Sequence, residues 1–106
     1  MRFLMTTKAT DSVPDETLFA EMGKFIEELT ASGVLLATGG LEAGGILVAS
    51  AGDEITVTDG PFAEAKEAVA GFALVEVRSK EEAVELARRF RRIVGDGESV
   101  IQQVFN

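Results

Sequence analysis

The stretch GFALVEVRSKEEAVELARRFRRIV, residues 71–94, predicts a strand followed directly by a helix. Side chains alternate between the two faces of a strand, and here both faces are largely apolar. One face carries Phe72, Leu74 and Glu76, and the other carries Ala73, Val75 and Val77. We therefore expect a strand over residues 71–78 that is covered on both sides.

The helix after this strand has its own start and stop signals. Ser79 with Glu82 three residues later is the capping-box pattern, and Gly95-Asp96-Gly97 favours the end of the helix. Apolar residues recur at helical spacing: Ala83, Leu86, Ala87, Phe90, Ile93 and Val94. The four arginines at 88, 89, 91 and 92 lie in the C-terminal half of the helix, where positive charges interact favourably with the helix dipole. We interpret them as a solvated face rather than an anion site, with Glu85 pairing with Arg89.

Further elements lie on both sides of this unit. Strands are predicted over residues 2–7, 34–38, 46–50, 55–58 and 99–105. Residues 12–15 give a helix start, and a helix over 15–32 ends at Gly33. Its buried stripe is predicted to contain Leu18, Met22, Phe25 and Leu29, widened by Phe19 and Ile26.

This order predicts one α+β domain over residues 1–106, a ferredoxin-like β-α-β-β-α-β sandwich with an extra hairpin. Two helices can cover only one face of such a sheet. The other face needs a second subunit or a bound ligand, because the strand over residues 71–78 is apolar on both sides. We therefore expect a homodimer that packs sheet against sheet.

Composition excludes several classes of function. The chain has 10 Lys and Arg against 18 Asp and Glu, a net charge of −8, which disfavours direct binding to nucleic acid or to anionic membranes. It has no cysteine and no histidine, which excludes disulfides, thiolate sites, Ser-His-Asp triads and His-bound zinc or haem. We expect no cofactor. Because there is no signal-peptide pattern and no run of membrane-spanning length, we predict a cytoplasmic location.

Two glycine pairs, Gly39-Gly40 and Gly44-Gly45, invite comparison with phosphate-binding loops. A Walker loop needs Lys and then Ser or Thr after its last glycine, and the dinucleotide fingerprint needs glycines at i, i+2 and i+5. Neither spacing is present. We interpret residues 39–45 as a flexible turn that lets backbones pass closely.

The segment DGPFAEAKE, residues 59–67, is the most specific motif of the chain. Asp59 either caps the turn, by accepting hydrogen bonds from the amides just after it, or serves a site. Phe62 is expected to point into the core or into a cleft.

The conformation of this segment decides which charges meet. In a helix Glu64 and Glu67 share a face, whereas in an extended chain Glu64 and Lys66 do. Only the extended form brings a carboxylate and an ammonium together as an acid–base pair. Mg²⁺ or Ca²⁺ on Asp59, Glu64 and Glu67 is disfavoured, because their spacing matches no calcium loop.

The segment closely resembles the DGPFAETKE signature of the YCII-related, or DGPF-domain, family of small bacterial proteins, with Ala65 in place of Thr. The resemblance covers nearly the whole chain, and it implies a dimeric α+β barrel. It makes Asp59, Lys66 and Glu67 candidate catalytic residues and Phe62 and Glu64 candidate ligand contacts.

Studied relatives in the wider family are proposed to use a His-Asp pair, and one removes chloride from a hydroxylated aromatic. The present chain has no histidine, so neither that pair nor the haem ligation of other barrel proteins can be carried over.

Two functions follow as hypotheses. In the first, the protein binds or converts a small aromatic or lactone-like molecule in a cleft near the DGPF segment; enzyme and non-catalytic binder both stay open. In the second, it is a non-catalytic dimeric interaction or regulatory module, linked to a sigma factor as family members are often encoded beside one. Such an acidic domain would contact a protein rather than DNA.

Overall fold

The computed structural model describes residues 1–8, 15–42, 44–60 and 69–105. It contains two helices and six strands in the described residues. In chain order they are β1 (Arg2–Lys8), α1 (Glu16–Ala31), β2 (Leu35–Gly40), β3 (Ile46–Ala51), β4 (Glu54–Asp59), β5 (Val69–Glu76), α2 (Lys80–Val94) and β6 (Ser99–Val104).

Four strands form one antiparallel sheet in the order β2-β5-β1-β6, and β3 pairs only with β4 in a separate hairpin. This is the ferredoxin-like arrangement with an inserted hairpin, so the predicted fold class is confirmed. The hydrophobic core contains Phe3, Val75, Val77 and Ala83, with Ile101 among the side chains packed against it.

Both helices begin at the predicted kind of cap. The Asp15 carboxylate accepts a hydrogen bond from the Leu18 amide at 2.8 Å, and the Ser79 hydroxyl accepts one from the Glu82 amide at 3.1 Å. The second half of the capping box is shifted, since the Glu82 carboxylate accepts from the amide of Arg78. Residues 12–14, part of the predicted start of α1, lie outside the described residues.

Two predictions about the helices are wrong. Phe19 is 66% exposed and does not belong to the buried stripe. It lies two turns before Ile26, about 10 Å nearer the start of the helix. Arg89 does not pair with Glu85: it lies 4.8 Å from the ring centre of Phe25 and pairs with Glu28 across the helix interface.

Glu85 instead pairs with the two arginines on its own exposed side of α2, Arg88 at 4.0 Å and Arg92 at 3.6 Å. Its predicted partner Arg89 leans toward α1, where an aromatic ring and a carboxylate are both within reach. A contact between helices has therefore replaced the expected contact within one helix.

The two faces of the four-stranded sheet differ. One face packs against the helices and carries Phe3, Met5 and Thr7 of β1. The register places Leu4, Phe72, Leu74, Val100 and Val104 on the opposite side, which we call the open face. The same register places Arg2, Thr6, Glu76 and Gln102 on this face, so it carries both apolar and polar side chains.

The β3–β4 hairpin stands apart from this sheet, and every residue of its two strands is exposed. Cross-strand pairing puts Ile46, Val48, Ile55 and Val57 on one side, which we call the hairpin face. These four side chains are 62–70% exposed. No helix within the described part of the chain is long and apolar enough to cross a membrane.

Candidate functional site

An apolar cavity of about 290 Å³ lies between the two helices and the sheet. Its walls come from the apolar stripes of both helices and from the helix-facing side of β1 and β5. They include Phe3, Met5, Met22, Phe25, Ile26, Leu29, Ala73, Leu86 and Phe90. The amphipathic patterns that form the core thus leave a space of ligand size within it.

Polar groups gather at one end of the cavity. Thr7, Lys8 and Thr38 line it where β1 and β2 end, and we call this place the polar end. The Thr38 hydroxyl donates a hydrogen bond to the Phe72 carbonyl at 2.9 Å. The Lys8 ammonium forms an ion pair with Glu98 at 3.1 Å. The hydrogen-bond partner of the Thr7 hydroxyl is of a different kind: it is another hydroxyl, that of Ser99, at 3.1 Å.

Behind Ser99 lies Arg91, whose Nη1 donates to the Ser99 hydroxyl at 3.3 Å. Its guanidinium carbon lies 5.3 Å from the ring centre of Phe90, a cavity wall, and its Nε is buried with no hydrogen-bond partner among the described residues. A Cβ on Gly97 would lie 3.0 Å from both Nη atoms, so any other residue there would require the guanidinium to shift. Arg91 is accordingly half-buried, which corrects the prediction that all four arginines form one solvated face.

Sequence reasoning missed Arg91, although the signal was present. Arg91 follows Ala87 by four residues, as Ala87 follows Ala83, and residues four apart share one face of a helix. Ala83 and Ala87 are both buried. The spacing therefore predicts that Arg91 lies on the buried face of α2.

The glycines preceding the hairpin are also placed differently from the prediction. Gly39 and Gly40 are strand residues of β2, paired with Phe72 and Gly71, rather than part of a flexible turn. The expected close approach of backbones is found, since a Cβ on Gly71 would lie 3.3 Å from the Gly39 carbonyl oxygen.

Asp59 is exposed at the end of β4 and is not among the described residues that line the cavity. The Gly60 amide donates to the Gly45 carbonyl at 2.7 Å, so this amide is not the one that Asp59 caps. Phe62, Glu64, Lys66 and Glu67 lie outside the described residues. The roles assigned to these five residues stay predictions.

The motif is nonetheless close in sequence to residues that line the cavity. Residues 61–68 join the hairpin to β5, and Ala70 and Gly71 at the start of β5 line the cavity. Over the ranges that the structure describes, no group of three or more acidic side chains is placed to hold a metal ion.

Comparison with known proteins agrees with this architecture. The model of the YCII-related domain matches residues 1–104. The chain belongs to the YCII-related domain family.

A similar solved structure is 5-chloro-2-hydroxyhydroquinone dehydrochlorinase from Burkholderia phenoliruptrix AC1100 in complex with 2,5-dihydroxybenzoquinone. The two chains share 15% identity with a TM-score of 0.57, over 99% of this chain and 94% of the other. No curated sequence matches the chain. For this YCII-related protein the likeness establishes the fold.

Proposed function

We propose that this YCII-related protein binds one small ring-shaped molecule, aromatic or lactone-like, in the cavity between its helices and its sheet. The observation that carries the proposal is the cavity itself: about 290 Å³, apolar on most sides, with polar groups at one end. Ligand sites typically start at about 300 Å³ and combine apolar walls with a few polar groups. The dehydrochlorinase of similar fold was solved with a small quinone bound.

Chemical conversion is the second step of the proposal. Because the chain has neither histidine nor cysteine, proton transfer falls to carboxylates and lysines. We assign it to Asp59, Lys66 and Glu67, with Phe62 and Glu64 contacting the ligand. The support is their resemblance to the family signature and the direct connection of their segment to β5, whose first residues line the cavity.

The proposal includes a homodimer in the cytoplasm. The apolar side chains of the open face, with Leu4 and Leu74 at its middle, pair across neighbouring strands, and neither of the two described helices lies over them. A second copy packed sheet to sheet would remove this surface from water and hold the two cavities on the outer sides of the dimer.

A non-catalytic interaction module is the alternative, and the hairpin favours it. The hairpin face exposes four apolar side chains, and residues 36–60 contain four acidic residues and no Lys or Arg. Apolar side chains beside acidic ones would suit a protein partner with a basic, partly apolar surface.

Native mass spectrometry of freshly purified protein tests the main proposal. We expect a dimer that carries a small molecule lost on denaturation, with the mass giving the ligand class. A monomer would contradict the sheet-to-sheet dimer, and a bare dimer that also fails to bind added ring compounds would favour the interaction module.

Asp59→Asn separates binding from conversion. The charge is lost while the size is kept, so turnover should fall with the melting temperature and ligand affinity unchanged. Loss of about 1 kcal/mol of stability instead would identify Asp59 as a turn cap.

A further inference from the structure

We propose that Thr7 donates a hydrogen bond to an acceptor oxygen of the bound molecule, and that Ser99 and Arg91 position the Thr7 hydroxyl for this purpose. The ligand class is thereby narrowed to an apolar ring that bears a carbonyl or an oxyanion. The inference rests on the proposed binding in the cavity and adds to it the group that selects the ligand.

The first step is the placement of the two hydroxyls. Thr7 and Ser99 are directly paired residues on β1 and β6, so their side chains leave the same face of the sheet, toward the helices. Their oxygen atoms are 3.1 Å apart, and either can donate. Thr7 lines the cavity and Ser99 lies behind it.

The hydrogen bond from Arg91 favours one direction of the Thr7–Ser99 hydrogen bond. A guanidinium has donors only, so Ser99 accepts from Arg91 Nη1 at 3.3 Å. A hydroxyl that accepts from a cation becomes a better donor, and successive hydrogen bonds strengthen one another. Our proposal takes Ser99 as the donor in its hydrogen bond with Thr7, which leaves the Thr7 proton to point into the cavity. Gly97 leaves space for the guanidinium at this position, and a Cβ there would require it to shift.

The surroundings leave this proton to the ligand. Most of the cavity wall is apolar, and a hydroxyl proton directed at apolar carbon is costly unless it finds an acceptor. The other described threonine of the polar end, Thr38, already donates to the Phe72 carbonyl. The Lys8 charge is offset by its ion pair with Glu98, so the nearby positive charge is that of Arg91 behind Ser99, which favours an oxygen with negative charge.

Two fluorinated probes that differ only in the acceptor oxygen test the inference. 4-Fluoroacetophenone carries a carbonyl, and 1-ethyl-4-fluorobenzene has the same skeleton without it. Fluorine NMR titration gives both dissociation constants. We expect the ketone to bind about three- to tenfold more tightly, the range that corresponds to one hydrogen bond.

Variants then assign the preference to Thr7. Thr7→Val keeps the shape and should abolish the preference for the ketone while the hydrocarbon binds as before. Thr7→Ser, which restores a hydroxyl, should recover the preference for the ketone. Ser99→Ala should lower this preference partly. The matched control is Thr56→Val on the exposed strand β4, which removes a hydroxyl that donates to the Ala49 carbonyl outside the cavity and should leave the preference unchanged.

Each contrary outcome has a definite meaning. If wild-type protein binds neither probe, the cavity proposal and this inference both fail. If it binds both equally, the cavity proposal stands and the inference is wrong. If Thr7→Val weakens both probes by the same factor, Thr7 contributes only shape. The wild-type comparison needs no variant, so a variant that fails to fold leaves the inference testable.

Discussion

Replacing Ala73 with leucine tests whether the cavity is empty space that a ligand can enter. Ala73 lies on β5, opposite Met5 and Thr38, and lines the cavity. Leucine adds about three methylene-sized groups, each worth about 0.8 kcal/mol when buried. Ordering the longer side chain costs about 0.5–1 kcal/mol. If the space is available, Ala73→Leu should stabilise the protein by about 1.5 kcal/mol.

Urea denaturation followed by circular dichroism measures this change. The matched control is Ala49→Leu on the exposed strand β3, where the same substitution fills no space and should change stability by no more than about 0.5 kcal/mol. Ala73→Leu should also weaken binding of 1-ethyl-4-fluorobenzene at least tenfold, because the new side chain occupies its place. Destabilisation by about 1–3 kcal/mol, as in an overpacked core, would refute the reasoning.

Three further outcomes are expected. Ser79→Ala removes the cap of α2 and should lower the free energy of unfolding by about 1 kcal/mol in urea titration; no change would mean that the Ser79 hydrogen bond contributes nothing. Leu74→Glu on the open face should convert the proposed dimer to a folded monomer in analytical ultracentrifugation, whereas a persistent dimer would place the interface elsewhere. Gly97→Ala adds a Cβ next to the Arg91 guanidinium, at a φ of 147°, and should shift Arg91 and reduce the preference for the ketone probe. An unchanged preference would mean that Arg91 does not act on the Thr7 hydroxyl.

The fold was predictable because its signals are local. The caps at Asp15 and Ser79 and the alternation in β5 each depend on residues a few positions apart. All eight elements have ends within two residues of the predicted ones. The number of helices also predicted that they would pack on one face of the sheet, and both described helices pack on the face that carries Phe3 and Met5.

The site was less predictable because it depends on contacts between distant parts of the chain. Thr7 and Ser99 are 92 positions apart, and nothing near either residue indicates that their hydroxyls meet. Arg89 found its partner on the other helix for the same reason. The cavity is a volume left between packed stripes, and a pattern of apolar positions does not specify that volume.

The central position of β1 has a consequence for how the protein is made. Both neighbours of this strand, β5 and β6, come from residues 69–104, so β1 leaves the ribosome long before either edge can be paired. Contacts this distant in sequence form slowly. The apolar side chains of β1 stay uncovered in the nascent chain, and the pairing that protects them also brings Thr7 to Ser99. For this protein, pairing of the sheet and formation of the Thr7–Ser99 hydrogen bond are one event.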